Sequence, residues 1–134
     1  MPTPLINYTN STEGSTVLDE QNPAIKVIIK GKEVPSSIVD RGSRVNVISQ
    51  ATCDQLSIQE WDICPCWLRM ANTNFVRPLN LIQNPIITIG GYSFEISAVV
   101  LKLDAQGAYP LLLGRPWLRT ANIKLNWQKN IISF

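Results

Sequence analysis

The chain has 134 residues, 45% hydrophobic and 16% charged, with a formal charge of +2 from 12 Lys and Arg against 10 Asp and Glu. That is one domain's worth of chain, large enough to bury a core without disulfides or a structural metal, and its basic residues are too dispersed to follow a phosphate backbone. It contains no histidine, which excludes every mechanism that needs an imidazole as base, metal ligand or triad member.

Residues 1–22 are polar, rich in Thr and Ser and unpatterned, so they are expected to form a flexible tail or linker ahead of one domain over 23–134. The triplets Asn7-Tyr8-Thr9 and Asn10-Ser11-Thr12 match the glycosylation pattern but carry little weight without a secretion signal. No basic segment followed by an apolar stretch opens the chain, and no apolar run reaches the roughly 18 residues of a membrane span. An intracellular, cytoplasmic protein without membrane contact is the expectation.

From Pro23 onward the pattern changes to short β-branched runs, broken by Gly, Pro and Asn every eight to twelve residues. Strands are expected over 24–29, 32–39, 45–48, 67–71, 75–79, 85–89, 92–101, 111–113, 123–126 and 131–134. Gly31, Gly90-Gly91 and Gln128-Lys129-Asn130 are the natural turns between neighbours. Short helices fit 49–56, where Ser49 can cap, and 116–120 after Gly114. The fold class is therefore all-β, a small barrel or sandwich.

The three cysteines, Cys53, Cys64 and Cys66, are odd in number and wrongly spaced for a redox or zinc motif, so they read as reduced thiols, and no metal or cofactor is expected. The tryptophans Trp61, Trp67, Trp117 and Trp127 read as core or subunit contacts. A nucleic-acid barrel would need Trp67, Arg69, Phe75 and Arg77 interleaved on one face; core packing explains them more simply.

One residue is out of place in this scheme. Ser37-Ile38-Val39-Asp40-Arg41-Gly42-Ser43 sets a carboxylate at the end of an apolar strand, where Asp is disfavoured unless it makes a turn or does chemistry, and follows it with a Gly that can turn the chain sharply.

The segment from Ile38 to Ser49, together with Tyr109-Pro110-Leu111-Leu112-Leu113-Gly114-Arg115-Pro116-Trp117-Leu118, resembles the two core motifs of retropepsin-like aspartic proteases. Between them, Leu68 to Pro78 falls where that family's flap hairpin lies, and Ile86 to Phe94 is similar to the strand, turn and strand that follow. Gly-Arg-Pro-Trp-Leu and Leu-Arg-Met-Ala are closest to the protease domains of plant long-terminal-repeat retrotransposon polyproteins. The resemblance covers roughly residues 24–134 and implies a small closed barrel of the acid-protease type with a short C-terminal helix.

It also implies an aspartic endopeptidase processing a retroelement polyprotein, with Asp40 catalytic and Arg41, Gly42 and Ser43 forming the active-site loop. Ser43 would hydrogen-bond the carboxylate or the substrate. Ala71, Asn72, Thr73 and Asn74 would belong to the flap over a polypeptide substrate, and Gly114 and Arg115 would form the structural Gly-Arg segment. Leu81, Ile82 and Leu113 line substrate pockets or pack in the core. The chemistry needs two facing carboxylates that share one proton. One chain carries one Asp-x-Gly, so a homodimer is implied. Two positions depart from the pattern: Arg41 stands where the family has Thr or Ser, and Arg44 where it often has an acid that pairs with the Arg of Gly-Arg. The alternative is a catalytically impaired relative that serves as a dimerisation or peptide-binding domain.

Overall fold

Two tight turns set the strand pairing. Lys30 and Gly31 both have positive φ, as do Gly90 and Gly91, the geometry whose twist matches two antiparallel strands joined by a two-residue loop. The computed structural model of the chain describes residues 5–10, 23–59, 62–63, 68–69, 75–76, 80–102, 109–126 and 128–134. In chain order it comprises β1 (Leu5–Asn7), β2 (Thr9–Asn10), β3 (Pro23–Ile29), β4 (Lys32–Val39), β5 (Asn46–Ser49), α1 (Gln50–Gln55), β6 (Leu68–Arg69) and β7 (Phe75–Val76). There follow β8 (Asn80–Ile89), β9 (Tyr92–Leu101), β10 (Leu111–Leu113), α2 (Arg115–Thr120), β11 (Lys124–Asn126) and β12 (Ile131–Ser133).

Six strands close a barrel in the order β3-β4-β10-β5-β9-β8, with β8 returning to β3. The β4–β10 and β5–β9 pairs are parallel and the rest antiparallel. The sequence of β10 reads Leu-Leu-Leu with all three buried, the uniform apolarity of a short strand covered on both faces. Along β3, Ile25, Val27 and Ile29 point into the core while Lys26 is exposed. Pro35 and Pro85 both lie in strands but cost no ladder, because each sits at a register shift: β4 carries an extra residue opposite Ile25 to Val27, and β8 one opposite Glu95 to Ser97.

Both expected helices are present. Ser49 caps α1, its Oγ accepting from the Thr52 N–H at 3.1 Å and lying 2.7 Å from Thr52 Oγ1. Pro116 in the first turn of α2 has no N–H to waste. Trp117, buried at the centre of α2, meets Phe94 and Phe134 edge to face with centroids 5.8 and 6.4 Å apart. Trp61, Trp67, Trp127, Cys64 and Cys66 lie outside the described residues. Among the described residues no helix is long and apolar enough to cross a membrane.

The expected tail needs correction at its start. Leu5–Asn7 pairs antiparallel with β12, which also pairs β11, and Thr9–Asn10 pairs with Pro23 and Ala24. Tyr8 is buried and its N–H donates to Asn130 O at 2.9 Å. Ile6 packs so closely over Gly90 that an added Cβ there would sit 2.9 Å from Ile6 Cδ1. These residues gain order from Ile132 and Gly90, neighbours more than eighty positions away, which local composition does not register.

Cys53 is fully buried on α1, and that burial, with Asp54 adding to it, raises its thiol pKa from about 9 to about 11. The native thiol is therefore expected to resist alkylation at pH 8 until denaturant is added, as mass spectrometry will show. The unfolded thiol ionises first as pH rises, so this contribution to stability is intact below about pH 9 and is lost by about pH 11. Urea midpoints across that range check the sign.

Candidate active site

Asp40 follows the last residue of β4, and its backbone N–H donates to Leu113 O at 2.9 Å, extending the parallel β4–β10 ladder by one bond. The Asp-Arg-Gly loop and the Leu-Gly-Arg segment, about seventy residues apart in sequence, thus meet as the motif order implies. Gly42 N–H donates to Asp40 Oδ1 at 2.8 Å and Ser43 N–H to Asp40 O at 3.3 Å. The loop closes on itself and fixes one carboxylate oxygen.

Gly42 does not adopt the left-handed backbone of a sharp glycine turn, contrary to expectation. It lies close to the carboxylate: a Cβ would come within 3.2 Å of Asp40 Oδ1, a tight contact that the side chain would have to yield to. The expected role of Ser43 also changes. Its hydroxyl donates to Val45 O at 2.7 Å, so within one chain it is used to shape the loop.

Behind the loop stands a contact that sequence reasoning missed. Asn46 is buried inside an apolar strand, where a polar side chain is costly unless both its ends are bonded. Its Oδ1 accepts from Gly114 N–H at 2.8 Å and its Nδ2 donates to Ser97 O at 3.1 Å. One side chain thereby ties β5, β9 and the start of α2 together. Gly114 itself lies against backbone: an added Cβ would overlap Val45 O and sit 2.8 Å from Ser43 O. Arg115 continues the clasp, its N–H donating to Ser43 O at 2.9 Å. The available signal was the Asn within Val45-Asn46-Val47.

The strands beside Asp40 bury side chains on both faces. Ile48, Val100, Leu111 and Leu113 join the main core, while Val47, Val99, Leu101 and Leu112 form a second, smaller cluster against which Val45, Leu81 and Tyr109 pack. Ile82 and Leu113 are therefore core residues; Leu81 is partly buried at the edge of the second cluster. Tyr109 was not singled out from sequence. Burial, and secondarily the charge of Asp40, raise its phenol pKa, which keeps it a neutral O–H donor on the Asp40 side of the barrel. Arg41 and Arg44 are exposed on the loop. The flap residues Ala71, Asn72, Thr73 and Asn74 lie outside the described residues; on either side of them β6 and β7 pair antiparallel, Leu68 opposite Val76 and Arg69 opposite Phe75.

No protein-family model and no curated protein matches the sequence. Among solved structures the chain is similar to the retroviral protease-like domain of Ddi1 from Leishmania major, with a TM-score of 0.66 over 81% of this chain and 84% of that one, at 14% identity. The likeness is one of fold. A closed six-strand barrel with short helices, in which an Asp loop crosses a Gly-Arg segment, is the retropepsin-like architecture.

Two substitutions test the clasp. Asn46→Ala strands the buried Gly114 N–H and is expected to lower unfolding free energy by about 2–4 kcal/mol in urea titrations. Gly114→Ala pushes a methyl group into two backbone carbonyls that have nowhere to go, and is expected to cost about 3 kcal/mol or more, read as a lowered thermal midpoint.

Proposed function

We propose that this chain is one half of an aspartic endopeptidase, completed by a second copy across a two-fold axis. The observation that carries the reading is the placement of Asp40: it directly follows β4, is pinned to Leu113 through its backbone, and has its carboxylate oriented by Gly42 N–H. The sequence holds one Asp-x-Gly, so the second carboxylate comes from the second copy. Of the two aspartates, the ionised one takes a proton from water as the water oxygen bonds to the scissile carbonyl carbon. The protonated one gives its proton to the carbonyl oxygen as the double bond opens. Collapse of that intermediate breaks the C–N bond and returns a proton to the leaving amine. The substrate is an extended polypeptide that pairs its backbone with protein strands, and the retroelement resemblance makes a precursor polyprotein its natural source.

A second reading rests on Arg41. Its place immediately after Asp40, exposed on the loop, puts a guanidinium where the family has a hydroxyl. Two such cations brought to one axis repel each other and resist desolvation, which favours a barrel that keeps its fold with weak dimerisation and little cleavage.

The experiment that separates the two combines sedimentation with cleavage of a peptide library from acid to neutral pH. The proposal expects cleavage in the acid to mildly acid range, where two carboxylates can share a proton, and its complete loss in Asp40→Asn. Arg41→Thr is expected to tighten dimerisation by tens to hundreds of fold, corresponding to about 2–3 kcal/mol of relieved repulsion and regained hydrogen bonding. Wild-type cleavage that survives in Asp40→Asn would refute the assignment of Asp40.

A further inference from the structure

We propose that a cavity at the end of the barrel remote from Asp40 binds an amphipathic carboxylate, its alkyl or aryl body against isoleucines and its anionic head at Lys30. The proposal is independent of the protease reading.

The cavity has a volume of about 690 Å³, within the range of small-molecule sites, and lies between the β3–β4 turn, the exit of α1 and β8. Among the described residues, none that lines it belongs to the Asp40 loop, β10 or α2. Gly31 precedes the first residue of β4 and Asp40 follows its last, so the eight residues of that strand hold the two places on the order of 20 Å apart.

Local structure keeps this space open. β8 leaves its register with β9 between Gln83 and Ile86, and Pro85 within that irregularity lies on the cavity wall. Ser57 takes a left-handed backbone, φ 56°, just beyond α1, and its neighbour Ile58 is fixed by an N–H bond to Cys53 O at 2.9 Å. Lys32 Nζ donates to Gln55 O at 3.3 Å and so ties the β3–β4 turn to the end of α1. The walls are held before a ligand arrives, which lowers the ordering cost of binding.

The wall residues define the ligand's chemistry. Ile28, Ile58, Ile82 and Ile86 form an apolar surface, and Ile86 leaves 59% of its own area in water, which an apolar body would cover. Lys30 is the single charged residue on the wall among the described residues, and the one ion pair among them joins Lys26 to Glu33. Beside the wall, Asp62 Oδ2 already accepts from Gln83 Nε2 at 2.9 Å. One ammonium on an apolar wall favours an anion with an apolar body over a neutral or cationic analogue.

Calorimetric titration of the full chain with decanoate, decanol and decylamine tests this, with sedimentation alongside. Decanoate is expected to bind one site per chain, roughly three- to tenfold more tightly than decanol, and decylamine not measurably. Lys30→Gln should bring decanoate down to the affinity of decanol, Lys30→Arg should keep the preference, and Ile86→Thr should weaken both ligands alike. Lys30 and Ile86 are exposed, so these variants leave the fold intact, as an unchanged thermal midpoint will show. The absence of saturable binding, decylamine binding as tightly as decanoate, or a Lys30→Gln protein that still prefers decanoate would each overturn the proposal. So would wild-type dimers that Ile86→Thr dissociates and decanoate leaves intact, since a second copy would then be the occupant. Decanoate binding that changes in Asp40→Asn would place the ligand at Asp40 and overturn it as well.

Discussion

The fold around Asp40 depends on a backbone-to-backbone contact. Gly114 lies so close to the carbonyls of Ser43 and Val45 that no side chain fits between them, and the N–H groups of Gly114 and Arg115 are bonded to Asn46 Oδ1 and Ser43 O. Two segments remote in sequence are held at van der Waals distance by their main chains. The loop from Asp40 to Ser43 consequently has little freedom to move relative to α2 or the barrel. A site on such a support is more precise than one on an independent loop.

The same closeness explains how the chemistry is distributed. A Cβ on Gly42 would sit 3.2 Å from Asp40 Oδ1, and Ser43 gives its hydroxyl to Val45 O within the loop. The hydroxyl is therefore used structurally.

Much of the architecture was legible in order and type. Lys32–Val39, Tyr92–Leu101 and Leu111–Leu113 appear with the expected limits, because alternation, β-branching and glycine turns are local properties. Ser49 was recognisable as a helix cap for the same reason. The start of β8 was missed: Asn80 to Asn84 reads as loop from composition, but its backbone pairs with Ser97 to Val100 and absorbs the irregularity in a bulge. Leu5 to Asn10 was missed because a short polar segment becomes a strand when a partner edge is waiting for it.

The sequence by itself determined the single Asp-x-Gly, the lack of any imidazole and the positive charge next to the acid, since these are matters of composition and adjacency. It also determined strand periodicity, which is local. Tertiary structure alone decided that Asn46 bridges Gly114 and Ser97, that Tyr109 comes under the field of Asp40, and that Arg115 Nε is buried without a partner. Each of these depends on which distant backbones come into contact. Barrel closure sets those contacts through the burial of many side chains at once, and no short stretch of sequence encodes it.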